Sequence, residues 1–316
     1  MGSTEAFAAA LDDGDYAKAL AAYRTTDHAR TSVGKATEAF LLSLTGDHAG
    51  AARQLTGVAE AELVEVIVRG ERERAARWTD VEAAGALTSS EPLPHLGVYA
   101  GTAVALLQDD KALLEGAIAR DKAKIPPVAG KLVFRDGTAR EFSSIVDSDD
   151  GIGAMLETYG PSGLMYFPFA ALRSVTFLPP RNFIDRLVPR ADVVLADGTR
   201  TTVLVPLLYA LSSTSGDRML RAGRLTSWRY VGPARRGLGQ RDFVLDGGRM
   251  IGMQNVGAIE LRGVATASTS ASPGGRAPLP RARVEAHDAP TTSSRNLMLI
   301  GLVLAVIVAV LFIVMS

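Results

Sequence analysis

Residues 125–146 read IPPVAGKLVFRDGTAREFSSIV, and within them the chain changes its period. Ile125-Pro126-Pro127 closes whatever helix precedes it, because proline cannot continue a helical ladder and disfavours a helical residue before it. From Gly130 the period is two: Lys131-Leu132-Val133-Phe134, then Asp136-Gly137, then Ala139 to Val146. Asp-Gly between apolar runs is a strong hairpin signal, since both turn residues tolerate positive φ. The pattern returns as Ala191 to Leu195, Asp197-Gly198, Thr201 to Val205. It returns again as Asp242 to Leu245, Asp246-Gly247-Gly248, Arg249 to Met253, with Gly257 to Leu261 behind it. Leu164 to Phe169 and Leu172 to Leu178 are further strand patterns. Together they predict a mostly antiparallel β domain over residues 128–263, with short helices at Asn182 to Val188 and Asp217 to Ala222.

Upstream, residues 5 to about 125 are rich in alanine and leucine with charges between them, a helical pattern. Gly14-Asp15-Tyr16-Ala17-Lys18-Ala19 is echoed 32 residues later by Gly46-Asp47-His48-Ala49-Gly50-Ala51, and more weakly by Asp109-Asp110-Lys111-Ala112-Leu113. The physical sense is a turn in which glycine ends one helix left-handed and aspartate caps the next. The spacing is close to the ~34 residues of a tetratricopeptide repeat, so residues 1–127 are read as a TPR-like α-helical domain. Glu91-Pro92-Leu93-Pro94 interrupts it, and helical patterns resume over Val98 to Leu107 and Ala112 to Ala123. The fold class expected is therefore α+β.

Downstream, residues 264–296 lose all periodicity and are rich in Ser, Thr, Ala, Pro and Gly, the composition of a disordered linker. Residues 297–315, LMLIGLVLAVIVAVLFIVM, are then continuously apolar. That length suits a single helix crossing a bilayer, so Leu297 to Met315 is expected to be a transmembrane tail anchor. Arg276, Arg281, Arg283 and Arg295 precede it and predict that the bulk of the chain stays cytoplasmic, tethered to a membrane. Met1 to Ala10 has no signal-peptide pattern.

Composition narrows the chemistry. Of 316 residues, 34 are Lys or Arg and 34 are Asp or Glu, a formal net charge of zero that gives no bulk attraction to nucleic acid. Cysteine is absent, which removes disulfides, thiolate metal ligands and thiol nucleophiles together. The four histidines, His28, His48, His95 and His287, lie far apart and in no ligand motif. Gly34-Lys35, Gly151-Ile152-Gly153 and Gly237-Leu238-Gly239 complete no phosphate or dinucleotide loop, and Ser32-Val33-Gly34-Lys35 has no companion motif. Asp147-Ser148-Asp149-Asp150 has carboxylates spaced as in a calcium loop. Ile152 and Thr158, however, stand where an EF-hand needs glycine and a bidentate glutamate. No cofactor, metal or catalytic set is expected.

The densest stretch is Val205 to Arg241. Its Trp, Tyr and Arg suit either a core with Arg224 paired to a carboxylate such as Asp217, or an interface hot spot. The same stretch resembles the ImpE/TagJ family, accessory proteins of bacterial type VI secretion systems. The resemblance is carried by Val205, Pro206, Tyr209, Ser212 and Asp217, then Gly223, Arg224, Thr226 and Trp228, then Gly237 to Arg241, including Gly239 and Gln240. Upstream it takes in Asp147, Asp149, Gly153 and Glu157, Tyr166, Pro168 and Phe169, and Gly46, Asp47, Ala51, Gln54 and Leu55. It covers about residues 5 to 262. Leu211 stands where the family has Gly, Ser227 where it has an acid, Gly151 where it has Arg, and Ala154 where it has Pro. The resemblance implies a non-enzymatic adaptor that holds the amino-terminal helix of a contractile-sheath small subunit in a groove. Its partner-binding or motif residues would be those named above. Two rivals remain: a tail-anchored scaffold for another complex, and a metal-dependent hydrolase using Asp147, Asp149 and Glu157.

Overall fold

The computed structural model describes residues 2–59, 61–85 and 96–262. The expected linker, the Leu297 to Met315 anchor and the Glu91-Pro94 break lie outside the described residues. Among the described residues, no helix is long and apolar enough to cross a membrane.

Among the described residues eight α-helices come first: α1 (Ser3–Asp12), α2 (Tyr16–Arg24), α3 (Ser32–Leu44), α4 (His48–Leu55), α5 (Glu62–Arg77), α6 (Val81–Gly85), α7 (Leu96–Gln108) and α8 (Lys111–Lys124). The repeated turns behave as their chemistry dictates. Gly14 and Gly46 take φ of +65° and +86°, and the following Asp15 and Asp47 accept the Lys18 and Gly50 amides at 3.0 and 2.7 Å. At the third echo Asp109 takes the left-handed position itself, φ +52°, and Asp110 caps α8 through the Leu113 amide. Each turn joins helices that pack on each other: α1 on α2, α3 on α4, α7 on α8.

Thirteen strands follow among the described residues. They are β1 (Gly130–Phe134), β2 (Ala139–Phe142), β3 (Ile145–Asp147), β4 (Met155–Gly160), β5 (Gly163–Pro168), β6 (Leu172–Phe177) and β7 (Arg190–Leu195). Then come β8 (Arg200–Leu204), β9 (Thr226–Val231), β10 (Ala234–Gly239), β11 (Asp242–Leu245), β12 (Arg249–Gly252) and β13 (Val256–Leu261). Short helices α9 (Phe183–Leu187) and α10 (Arg218–Arg221) sit where the sequence places them. Eight strands form one antiparallel sheet in the order β2-β1-β13-β6-β7-β8-β4-β5, while β12-β11-β3 and β10-β9 form smaller sheets. All three Asp-Gly turns close hairpins, β1–β2, β7–β8 and β11–β12.

Period two sorts the faces. Leu132, Ile259, Val175 and Val193 are register neighbours across four strands and are wholly buried. One residue along, Lys131 and Glu260 pair on the outer face at 3.7 Å. One expected strand divides: Ala139 to Val146 is not continuous. Ser143-Ser144 interrupts it, so that β2 pairs β1 while β3 leaves to pair β11. The break is held by Asp246, whose carboxylate accepts both the Ser143 amide and its hydroxyl at 2.7 Å.

Helix α5 joins the two halves by packing on β4 and β5. Its buried stripe is Val64, Ile67, Gly70, Arg74 and Arg77, a helical period that starts apolar and ends in two arginines. Gly70 is required by contact, since a Cβ there would lie 2.3 Å from the Tyr159 ring of β4. Burying Ile67 alone stabilises the fold by about 1.5–3 kcal/mol. Tyr159, Leu204, Ile184 and Val188 of the β half share one apolar cluster with α2 to α5.

Candidate functional site

Two arginines buried by the α5 stripe and a third from the β half need partners, because an unpaired buried charge is very costly. Arg241, fully buried between β10 and β11, is the centre. Its Nη1 donates to Asp147 Oδ2 at 2.7 Å, its Nη2 to Glu157 Oε2 at 2.5 Å and its Nε to the Pro206 carbonyl at 3.1 Å. Its guanidinium lies 5.2 Å from the Tyr209 ring centroid. Glu157 also accepts the Tyr166 hydroxyl at 2.7 Å and is approached by Arg74 Nη1 at 3.5 Å. Arg74 in turn donates to both oxygens of Glu71 at 2.7 Å and to the Leu208 carbonyl at 2.6 Å. Tyr159 closes the chain on Glu71 at 2.7 Å.

The acidic turn after β3 is folded into the same cluster. Asp147 Oδ1 accepts the Asp149 amide at 2.8 Å and the Tyr209 hydroxyl at 2.9 Å. Tyr209 accepts the Asp242 amide and lies 2.8 Å from Ser148 Oγ, which accepts Trp228 Nε1 at 3.2 Å. Asp149 accepts the Gly151 and Gly237 amides at 2.8 and 2.9 Å, and Arg236 Nε at 3.4 Å. Asp150 accepts the Arg235 amide at 2.7 Å. The hairpin β9–β10 is thus laced to the turn. Gly237 has no room for a side chain: its Cβ would lie 2.4 Å from the Tyr209 ring.

The two carboxylates on Arg241 differ. Burial pushes the Asp147 carboxyl up to about 7; Arg241 opposes this and the charge of Asp149 adds to it. Glu157 is held at about 2: burial works against this, and the guanidiniums of Arg241 and Arg74 together outweigh it. The buried Tyr159, Tyr166 and Tyr209 hydroxyls are all pushed upward, first by burial.

Most motif residues have duties inside the fold. Pro206, Tyr209, Asp147, Asp149, Glu157 and Arg241 form the cluster. Ser212 accepts the Gly239 amide at 2.8 Å, and Thr226 donates to the Gln240 carbonyl at 2.9 Å. Gly239 takes φ +83° in contact with the Leu225 carbonyl. Asp217 caps α10 through the Met219 amide at 2.7 Å. The expected Arg224–Asp217 pair is not formed: the aspartate is spent on the cap, and Arg224 is exposed, with no ion pair among the described residues. The three carboxylates of the hydrolase reading, Asp147, Asp149 and Glu157, are bonded to arginines, tyrosine hydroxyls and backbone amides.

Sequence reasoning missed Glu71, Arg74 and Arg77. Arg77 is buried and stacks 4.4 Å from the Tyr166 centroid and 5.2 Å from that of Trp78. The period of α5 carried the signal, because its apolar stripe runs into positions 74 and 77.

The cluster and its surrounding sheets define an α+β protein whose polar core sits in the β half, and residues 139–260 match the family described as ImpE protein. Over 107 residues the chain is 34% identical to the type VI secretion system accessory component TagJ of Pseudomonas aeruginosa. That alignment covers 34% of this chain, which spans only 37% of the relative's length. A crystal structure of protein VPA1032 from Vibrio parahaemolyticus shares the fold, with a TM-score of 0.68 over 81% of this chain and 97% of that one at 16% identity.

Proposed function

We propose that this chain is a non-enzymatic accessory adaptor of a type VI secretion-like contractile apparatus, tethered to the membrane by Leu297 to Met315. The observation that carries the reading is the likeness of residues 139–260 to the ImpE protein family, with TagJ as the relative. The commitment of every motif carboxylate to structural bonds supports a binding role over catalysis. The client proposed is the amino-terminal helix of a sheath small subunit. Stacked, TPR-like helix pairs support that choice, because such stacks present extended concave surfaces. A helix held in a groove would be read by apolar anchors at i, i+3, i+4 and i+7.

The test is capture by the tagged full-length chain, solubilised in mild detergent from its own cells and read by mass spectrometry. Recovery of a sheath small subunit, lost when that subunit's amino-terminal helix is removed, is the expected result. Recovery of an unrelated membrane complex would replace the secretion role with that of a general scaffold. The tether is tested by fractionation: deleting residues 297–315 should move the chain from membrane to soluble fraction.

A further inference from the structure

Around Gly239 the surface carries features that the buried cluster does not use. Leu211 has left-handed backbone, φ +66° and ψ 0°, at a position where that conformation favours glycine. Its side chain is nonetheless a leucine and 41% exposed. Two unfavourable choices at one residue, strained backbone and solvated apolar surface, point to a use outside the fold. Leu211 does not stand alone. Ser212 bonds the Gly239 amide, the Leu225 carbonyl accepts the Gln240 amide at 2.9 Å, and the Met219 carbonyl accepts the Arg224 amide at 3.0 Å. Leu225 is 46% exposed and Met219 40%. These links bring three exposed apolar side chains and the unpaired Arg224 to one corner.

The charge of this corner is one-sided. Residues 211–240 contain six arginines and a single acid, Asp217, in a chain of zero net charge. Of the six, Arg218 pairs with Asp13 at 3.5 Å, Arg236 with Asp149 at 3.4 Å, and Arg221 donates to the Gly14 and Ser215 carbonyls at 2.8 and 2.6 Å. Arg224 and Arg229 are exposed and have no ion pair among the described residues.

We propose that Leu211, Met219 and Leu225, with Arg224 beside them, dock an acidic amphipathic helix of a protein partner, its apolar side chains on the three residues and a carboxylate on Arg224. The proposal rests on the adaptor reading and adds the chemistry of the client. Charge complementarity selects an acidic partner. One exposed arginine with no ion pair among the described residues falls short of the cluster of about 4–8 basic residues that holds an anionic membrane surface.

The test uses the full-length chain in mild detergent. The probe is a labelled synthetic helix with Leu at i, i+3, i+4 and i+7 and Glu beside them, against the same peptide with Gln for Glu. Anisotropy should show the Glu peptide bound about tenfold more tightly, with about tenfold lost in Arg224→Glu, the effect of one charge-assisted contact. Leu211→Gly should weaken binding while raising Tm, opposite signs that a merely structural leucine would not give. Equal binding of both peptides, or no change in either variant, overturns the proposal. Binding sensitive to these variants only on phosphatidylserine vesicles, or self-association lost in them without peptide binding, overturns it in favour of a lipid surface or a second copy.

Capture of the sheath small subunit separates this proposal from the reading it rests on. Capture by the native chain and not by Arg224→Glu supports both. Equal capture by both chains discards the docking corner and leaves the adaptor standing. Without capture by either chain the adaptor reading falls, and the peptide result alone decides the corner.

Discussion

Arg241 and Arg224 belong to the same dense stretch and live in opposite worlds. Arg241 has no exposed surface and spends three nitrogens on Asp147, Glu157 and Pro206, whereas Arg224 stands in solvent with no ion pair among the described residues. The same residue type thus serves as a peg that cannot be withdrawn and as a charge left available. The difference teaches that a motif mixes residues that build the surface with residues that use it, and that burial separates the two.

The largest expected effect tests the peg. Arg241→Ala leaves Asp147 and Glu157 buried without their shared cation and should cost about 3–5 kcal/mol by urea denaturation. A loss near zero would mean the cluster is not what holds β3, β4 and β11 together. The second effect is pH dependence. The unfolded Asp147 carboxyl loses its proton near 3.9, whereas in the fold it keeps it up to about 7. The native state therefore binds the extra proton between those values. The stability Asp147 supplies is full below about 3.9 and is lost as pH rises through about 7. Glu157 runs the other way, its contribution present above about 4.5 and lost as pH falls through about 2. Denaturation at a series of pH values should show the first slope flattened in Asp147→Asn.

Next in size is Gly237→Ala, whose methyl meets the Tyr209 ring and should cost about 1–3 kcal/mol in thermal unfolding. Leu211→Gly should stabilise by about 0.5–1 kcal/mol, because relief of left-handed strain exceeds the entropy glycine adds to the unfolded chain. Arg224→Ala should change stability by less than about 0.5 kcal/mol. A larger loss there would erase the contrast, since it would make Arg224 structural too.

Much of the fold was legible because its signals are local. Asp136-Gly137, Asp197-Gly198 and Asp246-Gly247 each demand a hairpin, and Asp15, Asp47 and Asp217 each cap the helix that follows. The missed strands are informative. Strand β4 is buried at all six positions, so it shows no alternation. The hairpin β9–β10 turns through Gly232-Pro233, not Asp-Gly, and five of its twelve strand residues are Arg or Gly. In the site, Asp147, Glu157, Tyr209 and Arg241 stood out as residue types, but their pairing spans 62 to 94 residues and leaves no local trace. The contribution of Arg74 was hidden by composition, because Glu-Arg-Glu-Arg in α5 looks like an ordinary solvated face until its period is followed from Ile67.

The first and last strands of the β half are neighbours. Gly130 faces Leu261, and the Arg262 amide donates to the Ala129 carbonyl at 3.0 Å, so the chain enters and leaves this sheet at one place. That adjacency sets how the sheet answers a mechanical load. A pull between residue 129 and residue 262 peels β1 from β13 one ladder bond at a time, where a pair gripped at opposite ends would resist in shear with all its bonds at once. A partner held by the helices and a tail held elsewhere would therefore load the sheet along its softest direction, and the seam at Gly130 would be the first to yield.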